Sequence, residues 1–280
     1  MEITYLGTAT LALRVGGTLL LTDPVFDPRG SAYDFGPWFT PRSWFASEKT
    51  YETPVAAASL GAIHGVLLSH DHHADNLDLA GRQLIADESR VARVLTTVPS
   101  ARRLARPASP KDAPGLGLGL GTRVEGLRPG ARARIGEVSI RATIARHGPS
   151  YAPQAHEVLG FVLDVDHGPR LWISGDTVLF PALASALAAI RRERPVDLAI
   201  VHAGGVAFPA ALGFRNARFT FDASEALAVC KILDPRLIVP VHRSGWAHFR
   251  ESEASLREAF ARSELGERSR FLALGETLSL

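Results

Sequence analysis

Residues 67–78 read LLSHDHHADNLD, and this stretch decides how the rest of the chain is interpreted. The apolar run from Gly65 to Leu68 ends abruptly in polar side chains, a pattern typical of a buried strand that delivers a loop at its carboxyl end. Four candidate metal ligands follow within six residues: His70, His72, His73 and Asp75. Imidazole nitrogen with carboxylate oxygen is the donor set that suits zinc, iron or manganese. We therefore predict a metal site rather than a solvated loop with histidines by chance.

The composition is that of an ordinary globular protein. Of 280 residues, 46% are hydrophobic and 21% are charged, and the formal net charge is +2. The cluster of Arg102, Arg103 and Arg106 is interpreted as a solvated helix face, so no nucleic-acid partner is expected. The first residues show neither a basic segment nor a long apolar core, so no secretory signal is expected there. No apolar run approaches the roughly 20 residues that span a bilayer. We expect a soluble, cytoplasmic protein without an integral membrane segment, with its one cysteine, Cys230, buried in a helix.

The two halves of the chain have a similar order of predicted elements. Each begins with antiparallel strands, such as the meander over residues 3–22, and continues into helix–strand units. An aromatic-rich loop is predicted over residues 23–65 and a flexible Gly/Pro-rich connection over 107–121. The loop's aromatic residues either form a satellite core or line a cleft. Helices are predicted over 76–90 and 248–261, and a last strand over 271–274. Two sheets packed together with helices outside, in one domain, fit this order.

Three further candidate ligands each follow the end of a predicted strand. They are His147, Asp176 and His242. Each is weak evidence alone, because a single histidine at a strand end is ordinary and Asp176 could cap a helix. The carboxyl ends of strands meet at one edge of a sheet, so all three are expected near the histidine-rich loop. Gly175, directly before Asp176, suits a backbone that must approach a neighbour closely.

The order and spacing of these sequence motifs resemble those of the metallo-β-lactamase-fold hydrolases over nearly the whole chain. The matching pattern comprises an Asp-Pro turn (Leu21 to Pro24), the histidine-rich loop, His147, Gly175-Asp176 and Pro240-x-His242. Residues 197–205 and 219–226 are similar to the branch that contains L-ascorbate-6-phosphate lactonase and N-acyl-phosphatidylethanolamine phospholipase D. The resemblance implies an α/β fold of the αββα sandwich type. Two mixed sheets would pack face to face with helices outside, as one domain over residues 1–280.

The central motif departs from the family's His-x-His-x-Asp-His pattern in its register. His70 and His72 satisfy the first two positions only if one residue is inserted before Asp75. Without a gap, Asp71 takes the first histidine position and His73 the second. Both registers stay open.

In both registers Asn76 stands where the family has a histidine, and an amide oxygen is a poorer zinc ligand than imidazole. A second metal would then be weakly held, of a harder type, or absent. The resemblance implies the following ligand set: His70, His73 or His72, and His147 at one metal, Asp75 and His242 at the other, and Asp176 bridging.

The resemblance also implies the chemistry of a hydrolase. A metal-bound hydroxide would attack an ester, lactone or phosphodiester, since coordination lowers the pKa of water toward about 7. Asp75 would orient the hydroxide, and Asp176 would be essential. His202, which follows another strand, would protonate the leaving group, bind substrate, or be a structural imidazole behind the metals. Arg215 and Arg218 are predicted to bind an anionic substrate group, or else to be surface arginines. The remaining histidines are interpreted as surface or packing residues: His64, His156, His167 and His248.

Two hypotheses from different classes follow. The first is a hydrolase of a small molecule that holds one or two zinc ions, or manganese or iron. The second is a metal-depleted scaffold that binds a partner through its aromatic loop, which Asn76 favours and the retained ligands oppose. Oxidative chemistry at an iron pair is a third, for which no cofactor domain is visible. A homo-oligomer is compatible with the sequence.

Overall fold

The computed structural model describes residues 1–36, 45–109, 117–152, 154–207 and 217–280. These residues form fifteen strands: β1 (Glu2–Gly7), β2 (Thr10–Val15), β3 (Thr18–Thr22), β4 (Ala32–Asp34), β5 (Ala46–Glu48), β6 (Gly65–Leu67), β7 (Val94–Thr97), β8 (Val124–Leu127), β9 (Arg132–Ile135), β10 (Val138–Ile144), β11 (Leu159–Val165), β12 (Arg170–Ile173), β13 (Leu198–His202), β14 (Leu237–Val241) and β15 (Thr277–Ser279). They also form five α-helices: α1 (Leu79–Ala86), α2 (Val98–Ala105), α3 (Pro181–Glu193), α4 (Ala223–Leu233) and α5 (Glu253–Ala261).

Most of the strands belong to two mixed sheets. The first has the order β15-β1-β2-β3-β6-β7-β8, and the second β14-β13-β12-β11-β10-β9. In the first sheet β1 to β3 pair antiparallel, and β3, β6, β7 and β8 pair parallel. In the second, β9 to β12 pair antiparallel, and β12, β13 and β14 pair parallel. The predicted progression from antiparallel strands to helix–strand units is therefore confirmed in both halves.

Alternate side chains of the strands face different layers, as the two-residue period of a strand requires. Leu20 faces a core between the two sheets, together with Leu163 of the other sheet, whereas its neighbour Leu21 packs beneath α1 and α2. Trp172 of the second sheet faces α3, α4 and α5, where the buried Cys230 also lies. The layers run helix, sheet, sheet, helix, so the expected αββα sandwich is confirmed.

Two predicted helices begin later than expected. α1 begins after Asp78, whose Oδ1 accepts a hydrogen bond from the Gly81 backbone N–H at 2.7 Å. α5 begins after Ser252, whose hydroxyl accepts from the Ser255 N–H at 3.1 Å. Both are ordinary N-caps that satisfy the free donors of a first helical turn. Asn76 and His248 therefore lie on loops, not on helices.

The strand predicted over residues 271–274 is wrong. These residues are irregular, and the last strand is β15, which pairs antiparallel with β1. The apolar pattern here reflects burial without a hydrogen-bonded ladder, since Leu272 lies in the core and the Phe271 ring packs 5.8 Å from that of Phe260.

The aromatic-rich loop is partly structured in its described portion. β4 and β5 pair antiparallel as a separate two-stranded sheet. Phe45 is buried, while Phe35 packs its ring 5.5 Å from Trp246. Trp38, Phe39 and Trp44 lie outside the described residues, as does the middle of the Gly/Pro-rich connection. Across the described ranges, no helix is long and apolar enough to cross a membrane.

Candidate metal centre

The candidate ligands lie where strands of both sheets end. The histidine-rich loop follows β6, His147 follows β10, Asp176 follows β12 and His242 follows β14. Because these ends lie at one edge of the sandwich, residues distant in sequence come together. Two groups of donor atoms result, and within each group the atoms lie within 4.8 Å of one another. The predicted convergence is present in the structure.

The first group consists of four imidazoles: His70, His72, His73 and His147. Nδ1 of His73 lies 3.4 Å from Nε2 of His70 and 3.0 Å from Nε2 of His147. The His72 ring centroid lies 4.4 Å from that of His70. Ligands of a tetrahedral zinc, bonded at about 2.0–2.2 Å, are about 3.3–3.6 Å apart. The spacing of these nitrogens therefore suits one metal, and both His72 and His73 are within reach of it.

The second group consists of Asp75, Asp176 and His242. Nε2 of His242 lies 3.2 Å from Asp75 Oδ2 and 3.4 Å from Asp176 Oδ2. All three side chains are buried, with at most 2% of each residue exposed. Two carboxylates this close together in the protein interior require a compensating positive charge. Their oxygens and the imidazole nitrogen are donors of the type that binds zinc, manganese or iron.

The protonation states of the four imidazoles of the first group and of Asp75 suit metal ligation. Burial lowers the pKa of all four imidazoles of the first group, and that of His73 to about 3, so they stay neutral. Burial raises the pKa of Asp75, but hydrogen bonds from His242 and His248 outweigh it and hold the pKa well below its usual range. For His242, burial lowers the pKa, but the charges of Asp176 and Asp75 outweigh it and raise it, which favours the protonated ring; a metal at this position would take the place of that proton. Neutral imidazoles and ionised carboxylates are the forms that bind metals.

The backbone holds two of these ligands in place. Gly175 has φ +61°, and a Cβ atom there would lie 2.2 Å from the Leu159 carbonyl oxygen, so only glycine fits beside β11. This agrees with the prediction made for Gly175 from sequence. Nδ1 of His147 lies 2.8 Å from the Phe219 carbonyl oxygen. A proton on Nδ1 would donate to that carbonyl and leave Nε2 free for a metal.

Buried hydrogen bonds and an ion pair that the sequence did not predict hold the histidine-rich loop in place. Asp71 is buried and accepts from the Arg103 guanidinium, with distances of 2.6–3.1 Å, and from the Ser100 hydroxyl at 2.8 Å. The interpretation of Arg103 as a solvated residue is therefore wrong; its neighbour Arg102 is exposed. Oδ1 of Asp23, in the Asp-Pro turn, accepts from the Ser69 backbone N–H at 2.7 Å. These contacts fix the loop on both sides of His70.

His202 lies beside Asp176. Its Nδ1 is 2.8 Å from Asp176 Oδ1, and its ring stacks 5.5 Å from that of His242 with an interplanar angle of 8°. The residue is fully buried. Of the three roles considered for His202, this placement favours the structural imidazole behind the ligands.

The structure gives little support to the prediction that Arg215 and Arg218 bind substrate. Arg215 lies outside the described residues. Arg218 forms ion pairs with Asp222 and Glu225, and these carboxylates offset its charge. That arrangement weakens the prediction that Arg218 binds an anionic substrate group.

The interpretation of His248 as a surface residue is wrong, whereas the packing alternative holds, since its ring lies 4.6 Å from that of Phe35. His248 is buried, and its Nε2 lies 3.2 Å from Asp75 Oδ2. The other predicted packing histidines lie away from the centre: His156 and His167 are exposed, and Nδ1 of His64 accepts from the Leu19 N–H at 3.1 Å. No motif singles out His248 in the sequence, because it reaches Asp75 through the chain fold alone.

Asn76 faces both carboxylates of the second group. Its amide lies 3.2 Å from Asp75 Oδ1 and 3.1 Å from Asp176 Oδ2 when the NH₂ group is turned toward them. In that orientation it donates to both oxygens. In the opposite orientation its NH₂ lies 3.3 Å from the Ser69 hydroxyl, and its carbonyl oxygen faces the two carboxylates. Asn76, at the sequence position where a histidine is expected, thus lies against two carboxylates of the second group.

A pocket of about 450 Å³ opens beside the first group of ligands. His72 and His73 form one wall, and the rest of the lining includes Tyr33, Phe35, Leu77, Leu79 and Arg82. The Phe35 ring lies 5.6 Å from His73 and 4.6 Å from His248. The aromatic loop therefore buries Phe45 and contributes Tyr33 and Phe35 to the wall of a cleft.

Comparisons with known proteins agree with this architecture. Residues 18–243 match the family model described as the beta-lactamase superfamily domain. A metal-dependent hydrolase of Nitratidesulfovibrio vulgaris is 26% identical over 284 residues, covering 100% of this chain and 95% of the relative. The isothiocyanate hydrolase from Delia radicum gut bacteria superposes with a TM-score of 0.74 at 21% identity, covering 100% of this chain and 99% of the other. A protein of Veillonella parvula described as a possible metal-dependent hydrolase has a TM-score of 0.77 at 17% identity and the same coverage.

Proposed function

The chain belongs to the beta-lactamase superfamily and is a metal-dependent hydrolase, and from that premise we propose that it cleaves an ester, lactone or phosphodiester of a small molecule. The observation that carries the proposal is the pair of donor-atom groups at one edge of the sandwich. Seven side chains from four separate segments contribute to them. A protein that only binds a partner has no need for neutral imidazoles and ionised carboxylates at ligand spacing.

In this proposal His70, His147 and His73 or His72 would hold one ion, Asp75 and His242 would hold the other, and Asp176 would be shared between them. Zinc suits this set best, and manganese or iron also fit its nitrogen and oxygen donors. When bound, such an ion polarises the substrate's carbonyl or phosphoryl oxygen and lowers the pKa of water to about 7.

The chain's own residues orient and enclose the reaction. Asp75 accepts a hydrogen bond from the attacking water and directs it toward the substrate. His202 keeps Asp176 in place by a hydrogen bond to Oδ1. Tyr33 and Phe35 present an apolar wall to the substrate, while Arg215 and Arg218 stay candidates for contacts to an anionic group. The cytoplasmic location and a homo-oligomer also stay predictions.

The test combines metal content and turnover. Protein purified without chelators is expected to hold at least one equivalent of tightly bound transition metal and to hydrolyse a member of a panel of lactones, phosphodiesters and acyl esters. Asp176→Asn is expected to abolish turnover and leave the circular dichroism spectrum unchanged. Activity of Asp176→Asn within a few-fold of wild type would remove Asp176 from the site.

The alternative, a metal-depleted binding scaffold, rests on Asn76. It requires less than one equivalent of metal in the purified protein and no turnover on the panel. Both results together would replace the hydrolase proposal with the binding proposal.

A further inference from the structure

His248 connects the second group of ligands to the aromatic loop. Its Nε2 lies 3.2 Å from Asp75 Oδ2, and its Nδ1 lies 2.6 Å from the hydroxyl of Ser47 in β5. The His248 backbone N–H also donates to that hydroxyl at 3.1 Å. Both His248 and Ser47 are buried, at about 5% exposure. The two residues are 201 positions apart, so this contact exists only in the folded chain.

Asp75 is held from two sides. Nε2 of His242 approaches the same oxygen, Oδ2, at 3.2 Å, while the Asn76 amide lies 3.2 Å from Oδ1. His242 belongs to the group of potential ligands, whereas His248 does not share the 4.8 Å spacing with all members of that group. His248 therefore reaches the carboxylate but stands outside the cluster. This is the geometry of a residue that orients a ligand.

We propose that His248 is a positioning residue for Asp75. It donates from Nε2 to Asp75 Oδ2, is anchored at Nδ1 by Ser47, and stabilises the second metal position, which lacks the usual histidine at residue 76. The inference rests on the proposed function, because it assumes that Asp75 binds a metal. It adds a coupling between that metal position and the loop that carries Phe35, whose ring lies 4.6 Å from the His248 ring.

Two amide substitutions of His248 distinguish its hydrogen bond to Asp75 from its contact with Ser47. In His248→Gln the new side-chain amide nitrogen would lie near the position of Nε2 and still donate to Asp75. In His248→Asn the amide reaches only as far as Nδ1 and keeps the Ser47 contact alone. The affinity of the full-length protein for a second equivalent of Zn²⁺ is measured by titration against a chromophoric chelator.

Loss of an outer hydrogen bond to a metal ligand typically weakens affinity by about 10–100-fold. We expect this loss of second-site affinity in His248→Asn and His248→Ala, and a value within about threefold of wild type in His248→Gln. Ser47→Ala should also weaken the second site, because the ring loses its anchor. The first equivalent should bind normally in all four variants. The exposed His156→Ala serves as the control.

A second measurement tests the coupling between the second metal position and the aromatic loop. Backbone hydrogen exchange of residues 45–49 should slow when the second equivalent of Zn²⁺ binds to wild type, and this protection should be smaller in His248→Asn than in His248→Gln. These exchange measurements also report whether each variant is folded.

The outcomes that overturn the inference are distinct. Second-site affinity within threefold of wild type in His248→Asn would show that His248 does not hold Asp75. Equal losses in the glutamine and asparagine variants, with altered visible bands of the Co²⁺-loaded protein, would make His248 a direct ligand instead. If wild type itself binds less than one equivalent, the proposed function fails first. If it binds only one, the proposed function stands and this inference fails.

Discussion

Nδ1 of His202 lies 2.8 Å from Oδ1 of Asp176, and neither residue is more than 1% exposed. Burial lowers the pKa of His202 despite the opposing effect of Asp176, and the imidazole is therefore neutral at pH 7. A neutral ring with its proton on Nδ1 donates to the carboxylate, which fixes the other oxygen, Oδ2, toward His242. His202 thus acts on the metal centre through Asp176.

His202→Ala should weaken metal binding without removing it. The expected loss of affinity is about 10–100-fold, the usual effect of deleting a hydrogen bond to a ligand. Competition with a chromophoric chelator measures it, with the exposed His156→Ala as the matched control. Affinity within threefold of wild type would contradict the role assigned to His202.

Arg103→Ala should destabilise the fold. The Asp71 side chain is fully buried, and Arg103 is its cationic partner. Leaving a buried charge without its partner costs about 3–5 kcal/mol. Urea denaturation measures the free energy of unfolding. The adjacent Arg102→Ala, at an exposed position, should change it by no more than about 0.5 kcal/mol. Equal effects of the two substitutions would mean that the Asp71–Arg103 pair does not support the histidine-rich loop.

Gly175→Ala should be more harmful than an ordinary glycine substitution. The added methyl group would lie 2.2 Å from the Leu159 carbonyl oxygen, at a φ of +61°. We expect a loss of more than about 1 kcal/mol in unfolding free energy, together with weaker metal binding at Asp176. The control is Gly17→Ala, where an added Cβ meets no atom within 4 Å. A stable Gly175→Ala protein with full metal content would disprove the close approach.

The thiol of Cys230 should be unreactive in the native protein. Burial raises its pKa to about 12, so about one thiol in 10,000 is ionised at pH 8. An exposed thiol, with a pKa of about 8.5, is roughly one-quarter ionised at that pH. Because the chain has one cysteine, a chromogenic disulfide reagent reports this site alone. Labelling should be complete in guanidinium chloride and negligible without it. Equal rates in both conditions would contradict the buried position.

Chelation should lower the melting temperature. Removal of the metal leaves Asp75 and Asp176 close together without a cation, and a ligand at 100 times its Kd contributes about 2.7 kcal/mol. Differential scanning calorimetry before and after dialysis against a chelator measures the shift, and restored zinc should reverse it. Asp176→Asn should respond much less. An unchanged wild-type melting temperature would argue against a structural contribution from the metal.

Local patterns in the sequence predicted most of the elements correctly. Alternating or continuous apolar runs ended by glycine, proline or polar residues specify strands such as β1, β2 and β3, which form over the meander predicted for residues 3–22. The predicted helix starts at 76 and 248 were wrong because N-caps at Asp78 and Ser252 decide where helices begin. The strand predicted over 271–274 failed because apolar side chains are buried there without a strand partner.

The amino-acid sequence by itself determined the donor types and their positions at strand ends, because both follow from local periodicity and residue chemistry. It determined neither the role of His248 nor that of Arg103. Each contacts a carboxylate on a distant segment, Asp75 and Asp71 respectively, and no periodic sequence pattern marks such a contact. Only the tertiary structure placed these pairs in contact. Packing the two sheets brings loops from opposite ends of the chain to one edge. Because an unpaired polar or charged group is costly to bury, each hydrogen bond and ion pair at this edge affects the stability of the fold.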